Sequence, residues 1–139
     1  EKGNIFHLIM SEIYSVKDVN LVLNKYYELG EISIEKKEKL KEIIFKITNN
    51  KEIKEYYNPK YKSFNEREII EKNGKSFIPD RMVFLNEKNI VLIDYKTGTK
   101  KSKYLNQLKD YEVKLQKIGL NTVKKIIIYV SDDIKIECF

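Results

Sequence analysis

Thiol chemistry is nearly absent from this chain, which holds one cysteine, Cys138, in 139 residues. A lone thiol forms no internal disulfide and cannot build a thiolate zinc or iron–sulfur site. A reducing, cytoplasmic setting is therefore expected. No apolar run approaches the ~18 residues of a membrane span, and no basic-then-apolar leader opens the sequence, so neither membrane insertion nor secretion is expected. Internal repeats, low-complexity stretches and linkers are missing too. So is any G-x-x-x-x-G-K-[ST] phosphate loop, which excludes ATP-driven chemistry of that type from this segment. The first residue is Glu1, not Met, and a fragment of a longer protein is expected.

What is present is charge. Lys and Arg number 27 against 21 Asp and Glu, a net charge of +6, and charged residues make up 35% of the chain. The excess favours a polyanionic partner only weakly, because the lysines are spread along the sequence. The length suits one domain, residues 1–139, large enough to fold without disulfides or a structural metal.

Residues 1–60 have almost no Gly or Pro and read as helices. Ile5, Phe6, Ile9, Met10 and Ile13 form one stripe, Val19 to Leu29 a second closed by Gly30, and Leu40, Ile43, Ile44 and Ile47 a third. Ile53, Tyr56 and Tyr57 follow before Pro59. From residue 61 the period becomes strand-like. Glu68 to Ile70, Phe77 to Leu85 and Ile90 to Tyr95 are expected to form a three-strand antiparallel meander, with Asn73-Gly74 as a type I′ turn and Asn86 to Asn89 as the second joint. A helix to about Ile118, stopped by Gly119, should lead to a strand over Lys125 to Val130 and an edge strand over Ile134 to Phe139. The fold class expected is α/β, with an N-terminal helical part over 1–60 and a mixed sheet over 61–139.

Two carboxylates interrupt the strands. Asp80 sits between Pro79 and Arg81-Met82-Val83-Phe84, and Asp94 follows Ile90-Val91-Leu92-Ile93 with Lys96 two positions on. A charge near a sheet interior costs several kcal/mol unless it is paired, metal-bound or neutralised. Asp94 and Lys96 share a strand face, and the short second joint brings Asp80 beside them. A hard divalent cation with oxygen ligands would remove the repulsion between the carboxylates. An Asp and a Lys two apart near a strand end, taken alone, more often make a surface salt bridge.

Pro79-Asp80 followed by Asp94-Tyr95-Lys96 resembles the signature of the PD-(D/E)xK nuclease superfamily. Asp94-Tyr95-Lys96-Thr97-Gly98 with Tyr104, Gln107 and Tyr111 resembles its RecB/AddA branch, the C-terminal nuclease module of bacterial helicase-nucleases. Gly3 with His7 and the segment Asn65-Glu66-Arg67-Glu68 match that branch as well. The likeness runs from Gly3 to about Gly119 and implies a restriction-endonuclease-like core.

The resemblance implies a Mg²⁺-dependent DNA exonuclease or endonuclease, with Mn²⁺ substituting, in recombinational double-strand break repair. Metal ligands would be His7, Asp80, Asp94 and the Tyr95 carbonyl. Lys96, Glu68, Gln107 and Tyr111 would join Asp80 and Asp94 in catalysis. Periodicity leaves Glu66 and Glu68 unseparated, and the family favours Glu68. Lys100, Lys101 and Lys103, opening the following helix, would meet phosphates or form a solvated basic turn. The partners implied are DNA, the helicase portion of the same polypeptide and a second helicase-nuclease subunit. Branches with a four-cysteine iron–sulfur cluster are excluded by Cys138. The rivals are a non-catalytic nucleic-acid-binding module of the same fold, and a stand-alone nuclease such as a junction resolvase or restriction enzyme.

Overall fold

The computed structural model describes residues 2–139. Three helices come first: α1 (Lys2–Ser11), α2 (Val19–Glu28) and α3 (Ile34–Thr48), with short 3-10 turns at Val16–Asp18 and Lys54–Tyr57. The first and third apolar stripes become buried faces, whereas in the second Val19, Val22 and Leu23 are buried and Tyr27 and Leu29 are exposed. In α3 the stripe is Leu40, Ile43, Ile44 and Ile47, each side chain contributing about 1.5–3 kcal/mol when fully buried. Ser33 starts α3 by accepting from the Lys36 N–H at 3.0 Å, and Glu35 in the first turn and Lys46 in the last complement the helix dipole.

The rest of the chain is a mixed sheet with one helix. The strands are β1 (Lys62–Asn65), β2 (Ile69–Ile70), β3 (Ser76–Phe77), β4 (Arg81–Phe84), β5 (Asn89–Thr97), β6 (Asn121–Val130) and β7 (Ile134–Cys138), with α4 (Ser102–Gln116) between β5 and β6. A five-stranded sheet has the order β1-β4-β5-β6-β7, and β2-β3 form a separate pair. β1-β4, β4-β5 and β6-β7 pair antiparallel, while β5 and β6, joined through α4, are parallel.

Alternation along the strands builds two cores. Val83, Val91, Ile93, Tyr95, Ile126 and Ile128 pack with the N-terminal helices. Met82, Ile90, Leu92, Ile127 and Tyr129 pack with Leu108, Tyr111 and Leu115 of α4. Helix α4 ends as expected: Gly119 has φ 88°, and the Leu120 N–H reaches back to the Leu115 carbonyl at 3.0 Å.

The meander differs from expectation in its first strand. The place beside β4 is taken by Lys62–Asn65, whereas Ile69–Ile70 of the expected strand pairs with Ser76–Phe77 in the separate hairpin. The expected second strand, Phe77 to Leu85, is split into β3 and β4. Pro79 lies at the break and has no N–H to give a ladder. The Asn73-Gly74 turn is not type I′, which needs positive φ at both residues. Gly74 has φ 86°, Asn73 is not among the positive-φ residues, and Gly74 N–H closes a tight turn onto the Glu71 carbonyl at 3.0 Å. The last two strands run over Asn121–Val130 and Ile134–Cys138, the first of them four residues longer than its apolar run because its N-terminal end pairs through the backbone with Asn89 and Ile90.

Candidate functional site

The β4-β5 ladder stops at Arg81 opposite Ile93. One step further stand Asp80 and Asp94, joined through their side chains instead. Asp80 N–H donates to Asp94 Oδ1 at 3.3 Å, and Tyr95 N–H donates to Asp80 Oδ2 at 2.8 Å. Each carboxylate thus satisfies a main-chain donor of the other strand and is held in place by it.

Asp94 is only 3% exposed. Burial first, and then the charge of Asp80, push its carboxyl up to about 6, while Lys96 pulls the other way. Lys96 Nζ lies 3.3 Å from Asp94 Oδ2, donates to Gln107 Oε1 at 3.0 Å and sits 4.9 Å from the centre of the Tyr104 ring. The Lys96 ammonium is therefore held between the carboxylate and α4. Tyr111, stacked on Phe77 with ring centres 5.0 Å apart, has its phenol pushed up to about 12 by burial and then by Asp94 and Asp80. Its hydroxyl is within electrostatic reach of both.

His7 enters from α1. Its Nε2 is 2.9 Å from the Tyr95 carbonyl oxygen and 3.3 Å from Asp80 Oδ2. A carbonyl oxygen only accepts, so Nε2 carries a proton and donates here. To ligate a cation through Nε2 it would have to move that proton to Nδ1.

Glu66 rather than Glu68 faces this cluster. Glu66 follows β1, its N–H donates to the Asp80 carbonyl at 2.9 Å, and among the described non-glycine residues it alone has a positive φ, 49°. Burial and then Asp80 raise its carboxyl above the usual range, with His7 opposing. A left-handed non-glycine residue beside a charged cluster stores backbone strain of the kind that gathers at functional sites. Glu68 is exposed, just before the β2-β3 hairpin, and the structure gives it no contact with Asp80, Asp94 or His7. Periodicity left the two open; the left-handed turn at Glu66 breaks the strand alternation on which it relied.

The flanking lysines divide. Lys100 pairs with Glu137 at 2.7 Å, so it is already neutralised. Lys101 precedes α4, and Lys103 lies 5.8 Å from the Tyr104 ring centre. Gly3 lies on α1, one turn before His7.

Two residues supporting the site carry no role in the sequence reading. Arg81 is 1% exposed and donates to the carbonyls of Ile13, Tyr14 and Tyr56 and to Asn65 Oδ1. Asn65 Nδ2 contacts the carbonyls of Met10, Ser11 and Ile13. Together they bond carbonyls in the last turn of α1 and just beyond it, and so dock the helix that carries His7. The available signal was a cation in an apolar strand, as anomalous there as Asp80.

No family model matches this chain. No curated protein matches it either.

Among the described residues, no group of three or more His, Cys, Asp or Glu side chains is arranged to hold a metal ion by itself. Mg²⁺ needs no such group, since it keeps several waters and binds one or two carboxylates plus substrate phosphate. A buried carboxylate opposed by a second one, with a main-chain carbonyl beside them, fits that donor set.

Proposed function

We propose that this chain is a Mg²⁺- or Mn²⁺-dependent deoxyribonuclease domain of PD-(D/E)xK type, with a restriction-endonuclease-like core. The observation that carries the reading is the Asp80-Asp94 pair, locked across two strands with Lys96 bridging Asp94 to Gln107. The sheet order, with an antiparallel β1-β4-β5 unit and a parallel β6 reached through α4, supports the finer fold.

Asp80, Asp94 and the Tyr95 carbonyl would hold the cation, with His7 and Glu66 beside them. Bound there, it would polarise the scissile phosphate and acidify a water. Lys96 is placed to orient that water or to offset charge growing on the phosphate oxygens. Gln107 keeps the ammonium directed by accepting one of its hydrogens, and Asp94 holds it by charge. In the same reading the domain is an exonuclease module of a RecB/AddA-like helicase-nuclease acting on DNA in the cytoplasm, in double-strand break repair, with helicase activity supplied elsewhere in the polypeptide or by a second subunit. No described helix is long and apolar enough to cross a membrane.

The second reading, a nucleic-acid-binding module without turnover, is favoured by one observation, that among the described residues no group of three or more His, Cys, Asp or Glu side chains is arranged to hold a metal ion. Incubation of labelled linear DNA with the protein and Mn²⁺ or Mg²⁺ separates the two. Cation-dependent cleavage that disappears in Asp94→Ala is the expected result. Tight DNA binding with no cleavage under either cation would favour the second reading.

A further inference from the structure

A cavity of about 700 Å³ opens at the far end of β1 and β4, lined by Lys60, Tyr61, Lys62, Phe64 and Phe84, whereas the hollow at Lys96 and Gln107 measures about 270 Å³. The first is the size of a small-ligand pocket. Three features define its chemistry. Phe64 and Phe84 meet edge to face with ring centres 5.7 Å apart. Cations already stand over the rings, with Arg67 4.3 Å and Lys62 5.4 Å from the centre of Phe64 and Lys60 4.9 Å from that of Tyr61. Only Glu87 contributes a negative charge to the lining.

Aromatic rings bordered by cations suit a ligand with a flat π face next to a negative charge. A nucleotide of an unpaired strand has both, because its base can stack on a ring while its phosphate meets the ammonium or guanidinium. The position in the fold agrees. Phe64 and Phe84 pack on the same side of the sheet as Ile90 and Leu92, the side Asp94 shares by alternation along β5. The cavity lies at the Lys62-Phe84 end of the paired strands, and Asp80 and Glu66 flank their Asn65-Arg81 end. Four residue steps separate Phe84 from Asp80 and Lys62 from Glu66, roughly 14 Å at ~3.4 Å per residue. A strand whose phosphate lies at Asp80 and Asp94 could therefore place a neighbouring base at the cavity.

We propose that this cavity is a nucleobase subsite that grips an unstacked base of single-stranded DNA beside the Asp80-Asp94 site. The assignment rests on the nuclease reading for its substrate but not for its test. Binding of fluorescein-labelled oligothymidylate is measured by anisotropy in EDTA, where cleavage cannot contribute, for wild type, Phe84→Ala, Phe84→Leu, Lys62→Ala and, as a control, Leu21→Ala, an exposed α2 residue that does not line the cavity. Circular dichroism melts check folding of each. Phe84→Ala is expected to weaken binding roughly 5- to 150-fold, the range set by stacking one base. Phe84→Leu, which keeps apolar bulk without the π face, should weaken it nearly as much. Lys62→Ala should weaken it less and reduce its salt dependence, and Leu21→Ala should not weaken it.

Unchanged oligothymidylate affinity in folded Phe84→Ala and Phe84→Leu overturns the subsite. So does a loss with alanine that leucine restores, since Phe84 would then supply apolar bulk and not a π face for a base. Base-dependent binding without any cation-dependent cleavage keeps the subsite and removes the nuclease reading. Cleavage that is intact in both Phe84 variants, with unchanged binding, removes the subsite and keeps the nuclease.

Discussion

Arg81 Nη1 donates to Asn65 Oδ1 at 3.0 Å across the paired strands β4 and β1, and from there the two side chains reach the main chain that follows α1. Arg81 also lies 4.3 Å from the centre of the Tyr57 ring, and the Tyr57 and Tyr95 hydroxyls are 2.6 Å apart. A buried guanidinium is costly unless its hydrogens are met, and here carbonyls meet most of them. This links a helix from the start of the chain to the strand that follows Asp80, and it determines where His7 stands.

Asn65→Ala should lower the unfolding free energy by about 2–4 kcal/mol, because it strips donors from the carbonyls of Met10, Ser11 and Ile13 and an acceptor from Arg81. Urea denaturation measures this directly. The His7 imidazole resonances should shift as well, since α1 loses its docking. A loss below about 0.5 kcal/mol would mean that water replaces the amide without cost and that the clamp does not hold α1.

Asp94 makes stability depend on pH when no divalent cation is added. Its carboxyl is raised from 3.8 to about 6 in the fold, so the folded state favours the protonated form. The associated stabilisation is full below pH ~4 and is lost as pH rises through about 6, amounting to about 3 kcal/mol. Asp94→Asn, whose amide oxygen can still accept from the Asp80 N–H, removes this dependence. In chelator, the variant's advantage over wild type should grow between pH 4 and pH 7.5. A difference that stays constant over that range would show that Lys96 cancels the burial of Asp94.

Glu66 and Glu68 can be separated by the cation. With Mn²⁺ as probe, Glu66→Gln should raise the half-saturating concentration for thermal stabilisation about tenfold, in the range found for groups that support metal ligands. Glu68→Gln should leave it unchanged. The reverse pattern would assign the role to the exposed residue and make the charge linkage of Glu66 to Asp80 incidental.

Lys96→Ala should reduce cation-dependent cleavage by about a hundredfold or more while Mn²⁺ still raises the melting temperature, because the carboxylates remain. Without cation the variant should melt lower than wild type, Asp94 having lost the ammonium 3.3 Å away. Gln107→Ala should lower cleavage less, about tenfold, since it releases one hydrogen bond to Lys96 and leaves the charge in place. If Lys96→Ala cleaves at the wild-type rate, Lys96 is only the counter-ion of Asp94.

The sequence by itself determined the elements whose signal is periodic and local. Apolar spacing fixed α2, α3 and α4, glycines at Gly30 and Gly119 closed the first and last of these, and an unbroken apolar run marked the central strand β5. Asp80, Asp94 and Lys96 were legible as charges in places where burial makes charge expensive. What only the tertiary structure decided is pairing between segments distant in sequence. Lys62–Asn65 lies on β1, a short, polar edge strand held largely by backbone hydrogen bonds, which leave no mark on residue type. Glu66, not Glu68, stands beside Asp80 because a single residue with φ 49° turns the chain out of the strand period. His7 comes to Asp80 across 73 positions through hydrogen bonds that Asn65 and Arg81 give to main-chain carbonyls. Every residue offers a carbonyl, so the sequence could not show which ones a buried cation would choose.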